Sequence, residues 1–288
     1  MQSDSKFKAL LYKVALLIPD RWFVQLKFRK NFGRNLDLRN PQTFNEKLNW
    51  LKLYDHNPIY TKMVDKYEAK KYVADIIGEE YIIPTFGVWD KAEDIDFDSL
   101  PDKFVLKATH DSGRVIICKD KSSLDKIWAV QEMRKSLHRN FYAVTREWPY
   151  KNVKRRILAE KLLEVESGND INDYKFFCFN GKVEFMKIDF DRRTYHRANY
   201  YDRNFTLLKF GETACPPDFE REVSKPKCFD KMIGLAEKIA RDFKFVRIDF
   251  YEVKGKVFFG EATFYPSSAV GKFTTPTADS DIGSLLKL

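Results

Sequence analysis

Over several stretches of this chain apolar and polar residues alternate with a period of two, as strands with one buried face require. The clearest lies near the C-terminus, where Phe245-Val-Arg247-Ile-Asp249-Phe-Tyr-Glu-Val253 and Lys256-Val-Phe-Phe-Gly260-Glu261-Ala-Thr263 flank the turn sequence Lys254-Gly255. Similar patterns predict strands at Lys103–Ala108, Arg114–Lys119, Arg156–Leu162, Asp173–Phe179 and Lys182–Phe190. Asn180-Gly181 joins the last two as a tight hairpin, because its central residues tolerate the positive φ that such a turn needs.

A helical period governs other segments. Lys6–Ile18 and Arg21–Lys30 mix basic and bulky apolar residues, a pattern that suits either a lipid headgroup layer or packing on a main domain. Thr43-Phe-Asn-Glu46 is a capping box that opens a helix running to about Leu53. Asn57-Pro58 predicts a second, ending near Gly78 and carrying Lys62, Asp65, Lys66 and Tyr67. Further helices are expected from about Ser122 to Asn140 and from Pro226 to Asp242, with Trp89–Leu100 a polar, acidic connection.

The chain has 288 residues and is 44% hydrophobic, with 25 Phe, enough for a sizeable core in one or two domains. Its net charge of +9 favours anionic partners, yet no helix-turn-helix, zinc-finger or RNA-recognition signature is present, so nucleic acid is not expected. The four cysteines lack Cys-x-x-Cys spacing and the four histidines do not cluster, which argues against a zinc or disulfide scaffold. With no secretory signal and no apolar run near the ~20 residues of a membrane span, a cytoplasmic protein is expected, reaching at most the inner face of a membrane through its N-terminal helices.

The hairpin carries the most specific chemistry. Asp249 and Glu261 each interrupt an apolar run, and two desolvated carboxylates facing each other call for a cation such as Mg²⁺, held through oxygen ligands. Arg247, two residues before Asp249, shares its face. A metal with an arginine suits a polyphosphate. There is a condition of register: a two-residue turn at Lys254-Gly255 would pair Asp249 with Gly260 and send Glu261 to the other face, so the metal reading needs an odd loop or a bulge. Otherwise the two acids are unrelated surface charges.

No P-loop and no Gly-x-Gly-x-x-Gly occurs. Lys107 instead ends a strand before a loop with Thr109, Ser112 and Gly113, which together offer a cation, hydroxyls and backbone N–H donors. Glu160, Lys161 and Leu162 could lend a strand edge to an adenine. Asp173 and Lys175 share a strand face, as an acid for ribose hydroxyls and a cation or as an ordinary ion pair.

The order of these features resembles the TupA-like branch of the ATP-grasp superfamily. The resemblance runs through Pro41-Gln-Thr-Phe-Asn-Glu-Lys-Leu48, Val64-Asp-Lys-Tyr67, Phe104-Val-Leu-Lys107, Asp173-Tyr-Lys-Phe-Phe-Cys-Phe-Asn-Gly181, Phe245-Val-Arg-Ile-Asp249 and Phe259-Gly-Glu-Ala-Thr-Phe-Tyr-Pro266. It implies an α+β, two-lobed fold with antiparallel sheets: a basic helical region at 1–58, an N-terminal lobe with lysine strand and lid loop at 59–158, and a C-terminal lobe with the metal hairpin at 159–288. It implies ATP and Mg²⁺, with Lys66 and Lys107 on the phosphates, the Thr109–Gly113 loop as lid, and Glu160, Lys161 and Leu162 at adenine. Asp173 takes the place of the ribose acid, Lys175 assists the phosphates, and Arg247 meets the transferring phosphoryl group. Asp249 and Glu261 match the metal acids. Thr263 stands where many relatives have a metal-binding Asn, and Asp111 where a lid glycine is common.

The activity so implied is a carboxylate–amine ligase working through an acyl phosphate, joining an amino acid or other amine to a uronic-acid carboxyl of an acidic cell-surface polysaccharide. A phosphotransferase acting on a glycan hydroxyl, or a basic membrane-surface scaffold with a degenerate nucleotide site, remain the other readings. Arg192, Arg193, Tyr195, His196 and Arg197 follow a hairpin strand and could meet a substrate carboxylate or form a solvated basic cluster.

Overall fold

The computed structural model describes residues 12–164, 171–191 and 194–288. The beginning of the expected first helix, and Arg192 and Arg193, lie outside them. The chain forms two compact units whose segments interleave: Met1–Val24, His56–Tyr72 and Ile83–Leu163 in one, Gln25–Asp55, Val73–Ile82 and Glu164–Leu288 in the other. The expected divisions at 58 and 158 describe contiguous stretches; the units are discontinuous.

The first unit is built on an antiparallel sheet of β1 (Thr85–Trp89), β2 (Phe104–Ala108), β3 (Val115–Cys118) and β4 (Ile157–Lys161), in the order β1-β4-β2-β3. Phe104, Leu106, Ile116, Ile157 and Ala159 point to one face, where Ala129 and Met133 of the helix Lys126–Leu137 cover them. Alternation then sends Val105, Lys107 and Glu160 to the other face. The helix spans 126–137 rather than the expected 122–140, and its later start is set by Asp125, which caps it by accepting the Trp128 N–H at 2.9 Å.

The single helix expected from Pro58 to Gly78 is two helices, Pro58–Val64 and Glu68–Ile77. Asp65 breaks it by leaving helical backbone angles and accepting the N–H groups of Tyr67 (2.9 Å) and Glu68 (3.2 Å). An aspartate inside a helical pattern competes with the backbone in this way. Lys66 falls in the break and donates its backbone N–H to the Thr109 carbonyl at 3.0 Å, which places it beside the expected lid.

The second unit holds a six-stranded antiparallel sheet: β5 (Asp173–Phe179), β6 (Lys182–Phe190), β7 (Arg197–Asp202), β8 (Leu207–Leu208), β9 (Phe245–Val253) and β10 (Lys256–Thr263), in the order β10-β9-β5-β6-β7-β8. Phe176, Ile248 and Phe250 face the helix Phe229–Ala240, which packs on β5, β6 and β9. On the opposite face Phe177, Phe179 and Phe245 form an aromatic cluster with Phe44, the first residue of the capped helix Phe44–Tyr54. The sequence pattern did not reveal β7, β8 or the final helix Ala278–Leu285.

Both tight turns have the expected chemistry, with φ of 48° and 81° at Asn180-Gly181 and 53° and 71° at Lys254-Gly255. The register condition is met by a bulge. Lys256 pairs with Val253 across the two-residue turn, and the pairing shifts between Phe259 and Glu261, leaving Gly260 as the extra residue. Asp249 therefore faces Glu261, and Arg247 faces Thr263.

Candidate active site

In the second unit, four consecutive strands each send two polar side chains to the same sheet face, two residues apart: Glu261 and Thr263 on β10, Arg247 and Asp249 on β9, Asp173 and Lys175 on β5, Lys187 and Asp189 on β6. Asp249 is 1% exposed. Arg247 grips it through two hydrogen bonds of 2.7 Å, from Nε and Nη2. The same Nη2 donates to Glu261 Oε1 at 3.1 Å and to Thr263 Oγ1 at 3.0 Å. Three hard oxygen donors from two strands thus converge on one point, now held by a guanidinium nitrogen. Their chemistry fits a divalent cation, with the threonine hydroxyl supplying the third oxygen.

Lys175 lies at the centre of the band. Its ammonium pairs with Asp173, with Asp189 at 3.2 Å and with Asp249 at 3.2 Å. Burial alone would lower its pKa, but Asp249 and Asp173 hold it above the ordinary lysine value. Burial likewise opposes the charge on Arg247, which Asp249 and Glu261 outweigh. Asp173, expected as a ribose acid, is thereby brought into this charged band, with its carboxylate on Lys175.

The band continues to Lys187, Asp189, Tyr200 and Glu212, which the sequence reading missed, and to His196 and Arg197, which it named as able to meet a substrate carboxylate or to form a solvated cluster. Lys187 lies 3.5 Å from Asp189 and 3.6 Å from Glu212, whose Oε1 accepts the Tyr200 hydroxyl at 2.6 Å. His196 Nε2 is 3.0 Å from Asp189 Oδ1. Arg197 pairs with Asp218 at 3.0 Å and stacks on Tyr195. Lys187 and Asp189 repeat the i, i+2 charge pattern of Asp173 and Lys175 and of Arg247 and Asp249, and that repetition was the available signal. Glu212 and Cys215 lie in a loop, where no periodicity marks them.

In the first unit, Lys107 and Glu160 form an ion pair on the sheet face opposite the core, and Lys70, also missed, adds a second at 2.8 Å. Burial would raise the Glu160 pKa, yet Lys107 and Lys70 hold it below the ordinary value. Burial lowers that of Lys70. Lys161 donates its backbone N–H to Pro84 O at 2.9 Å, so a base edge at the Glu160-Lys161-Leu162 run would meet other backbone groups.

The loop from Thr109 to Gly113 is fastened at several points. Lys66 Nζ donates to Asp111 O at 2.6 Å, Thr109 Oγ1 to Lys154 O at 3.0 Å, and Asp111 pairs with Arg139 at 2.9 Å. Asp111 thus adds a side-chain anchor where a lid glycine is common. His110, buried in the same loop, has its pKa lowered to about 4 by burial and by nearby Arg155. Ser112 and Gly113 are exposed, and Gly113 adopts φ +95° with open space around it.

No curated protein matches this chain. Among solved structures, D-alanine–D-alanine ligase from Bacillus anthracis complexed with ATP aligns at 15% identity, covering 70% of this chain and 54% of that one, with a TM-score of 0.42. The ATP-grasp ligase PsnB, complexed with a minimal precursor, Mg and ADP, aligns at 10% identity over 76% and 57% of the two chains, with a TM-score of 0.39. D-cycloserine synthetase DcsG aligns at 14% identity over 78% and 74%, with a TM-score of 0.41. The chain spans little more than half the length of the first of these. The assignment rests instead on the family model for TupA-like ATPgrasp, which matches residues 46–287 and so takes in every site residue named above. The chain belongs to the TupA-like ATP-grasp family.

Proposed function

We propose that the protein is an ATP- and Mg²⁺-dependent carboxylate–amine ligase acting through an acyl phosphate. The observation that carries this reading is the convergence of Asp249, Glu261 and Thr263 oxygens on the Arg247 guanidinium. Asp249, Glu261 and Thr263 would hold the Mg²⁺. Bound there, the ion would offset charge on the phosphate oxygens. Arg247 would then turn its donors to the γ-phosphoryl group, and Lys175 would keep Asp249 and Asp173 ionised in a buried setting.

In the first unit, Lys107 and Lys66 would neutralise phosphate charge, with Lys70 keeping Glu160 ionised while Lys107 serves the nucleotide. The run Glu160, Lys161, Leu162 would read adenine, and Thr109, Ser112 and Gly113 would cover the phosphates. The γ-phosphoryl group passes to a carboxylate and ADP leaves; the amine then displaces phosphate. Positioning and fixed charge supply most of the barrier reduction in such a transfer.

The substrates we assign are a uronic-acid carboxyl of an acidic glycan and an amino acid or related amine, a choice supported by the family resemblance and the +9 net charge. Contact with the inner face of a membrane is supported by Leu17, Trp22 and Leu26, exposed at 81%, 66% and 58% on the N-terminal helices. The test incubates the purified protein with ATP, Mg²⁺ and a panel of uronic acids and amino acids, measures phosphate release and identifies products by mass spectrometry. An amide with ADP and phosphate is expected. A stable phosphorylated glycan without amide would establish the phosphotransferase instead, and failure to bind Mg-ATP would reject both.

A further inference from the structure

An acyl phosphate is attacked by a free amine, whereas an amino acid near neutral pH carries an ammonium group. The reaction therefore needs a proton acceptor close to the metal end of the site. The charged band of the second unit contains one arrangement with that chemistry. His196 Nε2 lies 3.0 Å from Oδ1 of Asp189, whose side chain is 1% exposed, while the histidine side chain is 39% exposed. A buried carboxylate that accepts Nε2–H fixes the tautomer and leaves the imidazole lone pair on Nδ1 of a ring that substrate can reach.

Its position matches the need. Asp189 Oδ2 contacts Lys175 at 3.2 Å, and Lys175 contacts the metal acid Asp249 at 3.2 Å. Strand β6 lies two strands from β9 on the same sheet face, a separation of ~10 Å at the usual strand spacing. A small substrate spans that gap.

A second use of these residues is a metal site, since donor atoms of Asp189, His196 and Cys215 lie within 4.8 Å of one another. The surrounding charges oppose it. Lys175 and Lys187 already balance Asp189, and the Lys187 ammonium is 3.7 Å from Cys215 Sγ, where it would repel a metal ion. The lysines and the carboxylate instead form a fixed frame around the histidine.

We propose that His196, oriented by Asp189, is the general base that deprotonates the attacking amine; this rests on the ligase reading above. One ammonium proton passes to Nδ1, and the freed lone pair forms the C–N bond. The C–O bond to phosphate breaks, its electron pair leaves with the phosphate, and the second nitrogen proton departs with that phosphate.

Hydroxylamine provides the test because it is already unprotonated at neutral pH and captures acyl phosphates as hydroxamates without a base. Wild type, His196→Gln and His196→Asn are given ATP, Mg²⁺ and a panel of uronates with either an equimolar mixture of the twenty amino acids or hydroxylamine. Amide and hydroxamate are counted by mass spectrometry, and melting curves confirm folding. In both variants amide formation should fall by about 100-fold or more, while hydroxamate formation stays within about 3-fold of wild type. A parallel fall in both products, or no fall in amide, overturns the base assignment. Absence of both products from the wild type rejects the ligase reading itself, and the base with it.

Discussion

Arg247 is bonded to every oxygen that would hold the metal, so each acid of the hairpin has both a structural and a chemical role, and burial separates the two. Asp249 is fully buried between Arg247 and Lys175, whereas the Glu261 side chain is 44% exposed and meets the guanidinium at 3.1 Å. Glu261→Gln should reduce Mg²⁺-dependent ATP turnover on the order of 100-fold with little change in melting temperature. Asp249→Asn should lose as much activity and also lower the melting temperature, because two buried cations lose part of their counter-charge. Mg²⁺ titrations of turnover beside melting curves check both, and near-normal turnover in either variant would refute the metal assignment. Glu160 permits a pH argument. Its folded pKa is depressed, so its stabilisation is complete above the ordinary carboxylate value of about 4.5 and is lost as pH falls through the lower folded value. Glu160→Gln should cost on the order of 3 kcal/mol at pH 7, and the difference from wild type should shrink steadily below about pH 4.5. Urea melts between pH 3 and 7 measure it; a difference that stays constant through that range would show that the lysine pairs contribute nothing.

At the scale of elements, the hairpin shows what periodicity conveys and what it leaves out. Alternation located β5, β6, β9 and β10 and put Arg247 on the face of Asp249, and turn chemistry located both two-residue turns. It could not decide whether Glu261 shared that face, because one inserted residue reverses the answer and only three-dimensional pairing shows where it goes. Gly260 accommodates the insertion for a steric reason: a Cβ there would lie 3.0 Å from Tyr251 Cε2 and 3.1 Å from the Asp249 carbonyl oxygen. Gly260→Ala should therefore disturb the pairing of Asp249 with Glu261, raising the Mg²⁺ concentration for half-maximal activity about 10-fold while the unit stays folded. An unchanged Mg²⁺ dependence would show that the bulge has slack. The break at Asp65 was hidden for a related reason, since an aspartate within a helical pattern signals a cap only when its side chain turns back on the next N–H groups. Strands β7 and β8 and the loop with Glu212 and Cys215 gave no periodic signal, so Tyr200, Glu212 and Cys215 were illegible, whereas Lys187 and Asp189 lay on a recognised strand and repeated the spacing of the recognised pairs.

For the molecule as a whole, the basic charge and the apolar N-terminal residues bear on where the reaction takes place. Among the described residues no helix is long and apolar enough to cross a membrane. The helix Asp20–Phe32 buries Val24 and Phe28, which pins one side of it, and turns out Trp22 and Leu26 together with exposed Arg21, Arg29 and Lys30. Just before it, Leu17 is 81% exposed. Bulky apolar side chains beside arginine and lysine suit the boundary between headgroups and acyl chains, and an aromatic ring such as Trp22 is favoured there. Each basic residue near an anionic surface contributes about 1 kcal/mol, and that share weakens with salt while the apolar share persists. The 288-residue chain should therefore sediment with vesicles containing phosphatidylglycerol at low salt and partly remain bound at high salt. Leu17→Ser with Trp22→Ser should abolish the salt-resistant fraction and leave Mg-ATP binding intact, because neither residue belongs to the nucleotide machinery. If the double variant binds vesicles like wild type, these side chains do not form the contact.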